Sequence, residues 1–143
     1  MKEFVLDNSV VMRWLLESPK KSDQVYAEKV LRCLITEKAL VPNLWHLEAS
    51  NILLGAEKRG QVSVGEVEGF IAQLENLPIR VDPLTSHSAF SRTMSLARAY
   101  NLSSYDAAYL ELAVREGVPL ASLDKNLIKA AKKAKVEIYT SSD

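Results

Sequence analysis

Short apolar runs alternate along this chain with long stretches of helical periodicity, and that alternation constrains the fold more than any other feature. The runs are Glu3–Leu6, Ala39–Val41, Ile79–Val81, Val118–Ser122 and Val136–Tyr139. Each is too short for a helix and has the β-branched or apolar content of a buried strand. Helical periodicity fills Val10–Glu17, Asp23–Glu37, Leu44–Arg59, Val64–Asn76, Ser86–Tyr100, Ser104–Glu116 and Lys125–Ala134. Gly60 and Gly117 follow two of these stretches, where a left-handed residue is expected to close the helix. Ser63, Ser86 and Ser103 precede others, at N-cap positions. Strands alternating with helices predict parallel βαβ units with right-handed crossovers and helices on both faces of one sheet. At 143 residues, without a linker-like or repeated segment, the chain is read as one domain spanning 1–143. In such sheets the functional groups gather beyond the carboxyl ends of the strands, at the switch point.

That rule selects which acids matter. Glu28, Glu37, Glu57, Glu66, Glu68, Glu75, Glu111 and Glu116 fall on polar helix faces or ends, where solvation is the simple reading. Asp7 directly follows the first strand. It could cap the next helix, but Ser9 could do that equally well. Glu48 lies on the apolar stripe of its helix, between Leu44 and Ile52, where an ionised carboxylate costs several kcal/mol unless paired or coordinated. A salt bridge to an arginine, or a place at the margin of the stripe, would also accommodate it. Asp106 stands three residues after Ser103, as the reciprocal partner of a capping box does. Asp124 ends the fourth strand and begins a lysine-bearing helix, which it could cap. Such a set can converge on one pocket, and nothing obvious in the chain would neutralise it. The natural counter-charge is Mg²⁺ or Mn²⁺, a hard cation that prefers oxygen ligands. Two such ions can activate a water and stabilise the leaving oxygen in phosphodiester cleavage.

Other chemistries are poorly served. His46 and His87 lack metal-ligand spacing, and there is no glycine-rich phosphate loop, nucleophile elbow or dinucleotide fingerprint. Cys33 is the only cysteine, which excludes an internal disulfide and a thiolate cluster. The N-terminal segment lacks a signal-peptide core and is far too short to span a bilayer, so a cytoplasmic protein without membrane attachment is expected.

At the four acids the sequence resembles the PIN-domain nucleases, specifically the VapC-type toxins of prokaryotic toxin–antitoxin pairs. The matching segments are FVLDNSVVMRWLL around Asp7, VPNLWHLEASNILL around Glu48, LSSYDAAYLELA around Asp106 and PLASLDKNLIKAA around Asp124. The resemblance implies an α/β domain of three layers, with a five-stranded parallel sheet in order 3-2-1-4-5 and about seven helices. It further implies a Mg²⁺- or Mn²⁺-dependent endoribonuclease holding one or two ions, a homodimer, and inhibition by a small antitoxin. Asp7, Glu48, Asp106 and Asp124 would ligate metal or orient the attacking water, with Ser9 and Ser122 in support. Asn126 occupies a position that is sometimes acidic, and Lys135 one where glycine often precedes the last strand.

The basic residues (lysine and arginine) and the acidic ones (aspartate and glutamate) number 18 each, so formal net charge is zero and attraction for nucleic acid must be local. Lys125, Lys129, Lys132, Lys133 and Lys135 follow Asp124 with no acid among them; Lys125 and Lys129 are the candidates to hold phosphates, with Arg13 on the first helix. Arg92 and Arg98 lie in an acid-free stretch between Asp82 and Asp106. A solvated helix face would explain the distal lysines equally well. Trp14, Trp45, Tyr105 and Tyr109 could stack on bases, although core packing suits most of them better. Three other readings stay open: an RNA-processing nuclease without an antitoxin, a scaffold on the same fold, and a receiver-like signalling module. The last fits badly, since Asp7 lacks a paired acid.

Overall fold

A computed structural model describes Lys2–Thr140. Four parallel strands form its sheet in the order β3-β2-β1-β4: β1 Glu3–Leu6, β2 Lys38–Val41, β3 Ile79–Val81 and β4 Leu120–Ala121. Phe4, Val5 and Leu6 are wholly buried, as a central parallel strand covered on both faces requires. Helices flank the sheet: α1 Asn8–Val11 with a 3₁₀ turn over Met12–Trp14, α2 Lys21–Cys33, α3 Trp45–Lys58, α4 Val64–Glu75, α5 Thr85–Ser88, α6 Met94–Tyr100, α7 Ser104–Glu116 and α8 Lys125–Lys133. None of the described helices is long and apolar enough to cross a membrane. The chain runs outward from β1 through β2 to β3, then returns to place β4 on the other side of β1. The switch point therefore falls between β1 and β4, strands followed by Asp7 at once and by Asp124 after a two-residue turn.

Several local expectations meet their structural counterparts. Gly60 and Gly117 adopt φ of 72° and 65°. Ser63 and Glu66 form a reciprocal capping box on α4. The expected N-cap at Ser86 is displaced, because the helix already starts at Thr85 behind Leu84. Its continuation is a π-helical turn over Ala89–Thr93 rather than uninterrupted α-helix. The first helix ends at Trp14, short of the expected Glu17.

The expected fifth strand, Val136–Tyr139, is reduced to a single parallel bridge between Leu120 and Ile138, so the sheet has four strands rather than five. Two hydrogen bonds hold the segment, Leu120 N–H to the Glu137 carbonyl at 2.9 Å and Tyr139 N–H to the Leu120 carbonyl at 2.8 Å. The reason lies in β4. That strand spans only Leu120 and Ala121, and Leu120 alone turns its backbone groups toward the segment, since the Pro119 and Ala121 carbonyls accept from Val5 and Asp7 on the β1 side. Side-chain packing secures the segment instead. Tyr139 stacks on Phe4 with ring centroids 4.0 Å apart, and the Tyr26 hydroxyl donates to the Tyr139 carbonyl at 2.7 Å.

Lys135, at the position where the resemblance leads one to expect glycine, has φ of 63°. A lysine there carries the steric cost of a Cβ in the left-handed region. Lys135→Gly is expected to stabilise the fold by about 1 kcal/mol, read as a higher urea midpoint at unchanged slope.

Two acids expected to be solvated are buried. Glu37 is 7% exposed and Glu111 3%. Glu111 lies against Arg115, whose Nε and Nη2 each donate to it at 2.9 Å, and the same guanidinium donates to Asp82 at 2.6 and 3.2 Å. Helical periodicity alone placed Glu111 outward, because the ion-pair network that makes its burial tolerable reaches across to the end of β3.

Candidate active site

Asp7 stands at the end of β1 in the N-cap position of α1, yet its carboxylate makes no cap bond to that helix. Its Oδ2 accepts instead from two hydroxyls, Ser9 at 2.6 Å and Ser122 at 2.8 Å. Each serine also accepts an amide N–H from the turn after β4: Leu123 to Ser9 at 2.8 Å and Asp124 to Ser122 at 3.0 Å. The two hydroxyls thus stitch the ends of β1 and β4 together around one carboxylate oxygen. Ser9 does not cap α1, as it might have; it lies within that helix.

Asp124 does cap α8, its Oδ1 accepting from Leu127 N–H at 3.0 Å. Asp106 leaves its capping box half made. Ser103 accepts from the Asp106 N–H at 3.1 Å, but no return bond from the Asp106 carboxylate is present, which leaves that group available. Glu48, in the first turn of α3, meets no arginine. Its Oε1 accepts from the Tyr109 hydroxyl at 2.6 Å and from Asn8 Nδ2 at 3.0 Å.

Asp7, Glu48, Asp106 and Asp124 line one cleft of about 290 Å³, together with Ser9 and Arg13. Ser122 is buried behind it. Lys125, Asn126 and Lys129 lie on α8 and do not line the cleft, so Asn126 contributes nothing to its wall. Among the described residues, no salt bridge reaches any of the four acids. Burial pushes the Asp7 carboxyl up to about 6; the serine hydroxyls oppose this, and the charges of Glu48 and Asp106 add to it. Asp106 is also raised, by burial and then by the charges of Asp124 and Glu48, against the opposing Ser103 bond.

A larger, apolar groove of about 570 Å³ lies elsewhere, between α3, α4 and β3, and contains none of these acids. Its chemistry is that of packing, so the smaller acidic cleft is the candidate for catalysis.

The donor set fits a hard divalent cation. The polar side chains of the cleft that could ligate are oxygen donors, and among the described residues no salt bridge neutralises any of the four acids, although Arg13 shares the wall. Among the described residues no three acids, histidines or cysteines stand close enough to grip an ion by themselves. Carboxylates without histidine or cysteine do not make the closed tetrahedral shell of structural zinc, whereas hard cations such as Mg²⁺ keep several waters beside their oxygen ligands.

Sequence reasoning passed over Asn8 and saw in Tyr109 only packing or stacking. A helical wheel carried the missing signal, since Tyr109 follows Asp106 by three residues and shares its face. His46 is exposed on α3, and Trp14 and Trp45 pack into or against the core. Asp82 is bound to Arg115 and so is not available as a phosphoacceptor for a receiver-like module.

The sequence profile of the PIN domain matches residues 4–133. Among solved structures, the crystal structure of PAE2754 from Pyrobaculum aerophilum is similar, with a TM-score of 0.64 and 20% identity, over 90% of this chain and 86% of that one. At that identity the likeness speaks to the fold. No match was found among curated proteins.

Proposed function

The chain belongs to the PIN domain family, a nuclease fold, and we propose that it is a Mg²⁺- or Mn²⁺-dependent endoribonuclease, the toxin of a toxin–antitoxin pair. The observation that carries this reading is the convergence of four carboxylates in one cleft, none of them in a salt bridge among the described residues. Asp7, Glu48, Asp106 and Asp124 would hold one or two ions. When bound, such ions supply Lewis-acid activation of a water and stabilisation of the leaving oxygen.

The chain's own groups prepare that site. Ser9 and Ser122 fix Asp7 through one oxygen, and Asp124 is anchored through Oδ1. Arg13, on the cleft wall, is placed to meet a phosphate on the substrate strand. Lys125 and Lys129 extend a basic track along α8 away from the cleft. RNA is proposed as the substrate because the four matching segments resemble ribonuclease toxins.

Cleavage of a labelled RNA should require Mg²⁺ or Mn²⁺ and stop with a chelator, while a DNA of the same sequence stays intact. Metal-independent cutting, or none with either ion, would refute the reading. Lys125→Gln with Lys129→Gln should raise KM for RNA and leave kcat within about threefold. The salt slope of binding should fall by about 1.4, two phosphate contacts at ~0.7 each. An unchanged slope would take both lysines off the RNA path.

The partner part of the reading is supported by the apolar groove. Trp45, Leu53, Ile71, Leu74 and Leu77 line it, and Leu47 on α3 is 79% exposed beside them. Such a surface suits a twin subunit or an antitoxin helix. Light scattering of the purified chain, alone and with any small protein encoded next to it, tests both.

A further inference from the structure

Glu48 is clamped from two sides at a single oxygen. The Tyr109 hydroxyl donates to Oε1 at 2.6 Å and Asn8 Nδ2 donates to the same atom at 3.0 Å, whereas Oε2 has no hydrogen bond among the described residues. Neither donor has room to turn away. Tyr109 is wholly buried, and Asn8, only 2% exposed, also points Nδ2 at the Trp45 carbonyl, 3.5 Å distant. The hydroxyl of Tyr109 has no other described partner, and a phenylalanine would fill the same space, so packing does not call for it.

Tyr109 sits one turn beyond Asp106 on α7, and Asn8 follows Asp7 directly. The elements that present those two acids therefore also fix the third. We infer that Tyr109 and Asn8 are positioning residues which commit one oxygen of Glu48 to the protein and leave the other as the single oxygen offered to a bound cation. The inference rests on the reading of the cleft as a metal site. It assigns Glu48 one-oxygen ligation with a fixed direction, set by hydrogen bonds behind the ligand. Partners of that kind typically change metal affinity about 10–100-fold when removed.

The test is titration calorimetry with Mn²⁺ alone, without RNA, on the wild type, Tyr109→Phe, Glu48→Gln, the Tyr109→Phe/Glu48→Gln double variant and Tyr26→Phe. Tyr26 is the control, since its hydroxyl bond to the Tyr139 carbonyl lies outside the cleft. Tyr109→Phe should weaken Mn²⁺ binding by about tenfold, with a melting temperature close to that of Tyr26→Phe. Once Glu48 is Gln, the tyrosine change should cost nothing further, because its effect passes through that carboxylate. Wild-type affinity in Tyr109→Phe would overturn the inference while leaving the metal site standing. So would an equal loss in the Glu48→Gln background, which would mark a general structural role. No Mn²⁺ binding by the wild type would overturn the metal-site reading and this inference together. If Tyr109→Phe fails to fold, Asn8→Ala removes the other donor and is read by the same comparison.

Discussion

Asp7→Asn is expected to lower RNA cleavage by at least about 100-fold and, in metal-free protein at neutral pH, to make the fold more stable. The first effect follows from the proposed role of Asp7 as a direct ligand, when groups merely behind a ligand already account for changes up to ~100-fold. The second follows from the charge. The Asp7 carboxyl titrates at about 6 in the fold, against an ordinary value of 3.8. Between those values the native state holds the proton more tightly than the unfolded chain. The group's contribution to metal-free stability is therefore greatest below pH 3.8 and is lost as pH rises through about 6. The shift of about two pH units corresponds to roughly 3 kcal/mol lost by neutral pH. Asparagine removes that cost but weakens the two serine bonds, so the net gain should be about 1–2 kcal/mol. Denaturant titrations at about pH 4 and pH 7.5 measure it: the gain should be large at the higher pH and small or reversed at the lower. A variant destabilised at both would show that Asp7 is held by the fold and not merely tolerated by it. Added Mn²⁺ should reverse the ranking, stabilising the wild type alone.

Arg115→Met should be the most damaging single change outside the cleft, at about 3–5 kcal/mol. The guanidinium holds Asp82 at 2.6 Å and Glu111 at 2.9 Å, with their side chains 7% and 4% exposed. Methionine fills the volume but strands two buried carboxylates. Burial by itself raises Asp82, yet the Arg115 hydrogen bonds and charge, with the Leu84 amide and Thr85, bring it below the usual range. Its contribution is therefore present above the unfolded carboxylate range and lost as pH falls through the lowered folded value. For a domain of this size the melting temperature should drop by roughly 10 °C. Asp82→Asn, made alone, should cost less than Arg115→Met, since Glu111 then keeps its arginine. Equal stability of wild type and Arg115→Met would mean that the triad is not desolvated in solution.

The contrast between these two acid groups shows what the sequence carries. Asp7 and Asp124 were legible because each stands where a strand gives way to a helix, and the sheet order that the resemblance implies sets those strand ends side by side. Glu48 was legible because it interrupts an apolar stripe. The sheet order implied by the resemblance holds for four strands, but β4 is only two residues long and turns a single residue, Leu120, toward the edge segment, which pairs only at Ile138. Glu111 and Tyr109 were not legible in their roles. The i,i+4 partner of Glu111 and the place of Tyr109 one turn after Asp106 were visible locally, but the distant partners were not: Asp82 lies 33 residues from Arg115, and Glu48 61 residues from Tyr109. Lys135 lies between these cases: its unfavourable backbone was signalled by position, but its φ required coordinates.

The four acids of the cleft are proposed to share a divalent ion. Anomalous scattering from a crystal soaked in Mn²⁺ tests it most directly. The expected result is a manganese peak in the cleft bounded by Asp7, Glu48, Asp106 and Asp124, absent from Asp7→Asn crystals treated identically. Crystals fully soaked in Mn²⁺ but with no peak there, and with the four carboxylates unmoved, would contradict it.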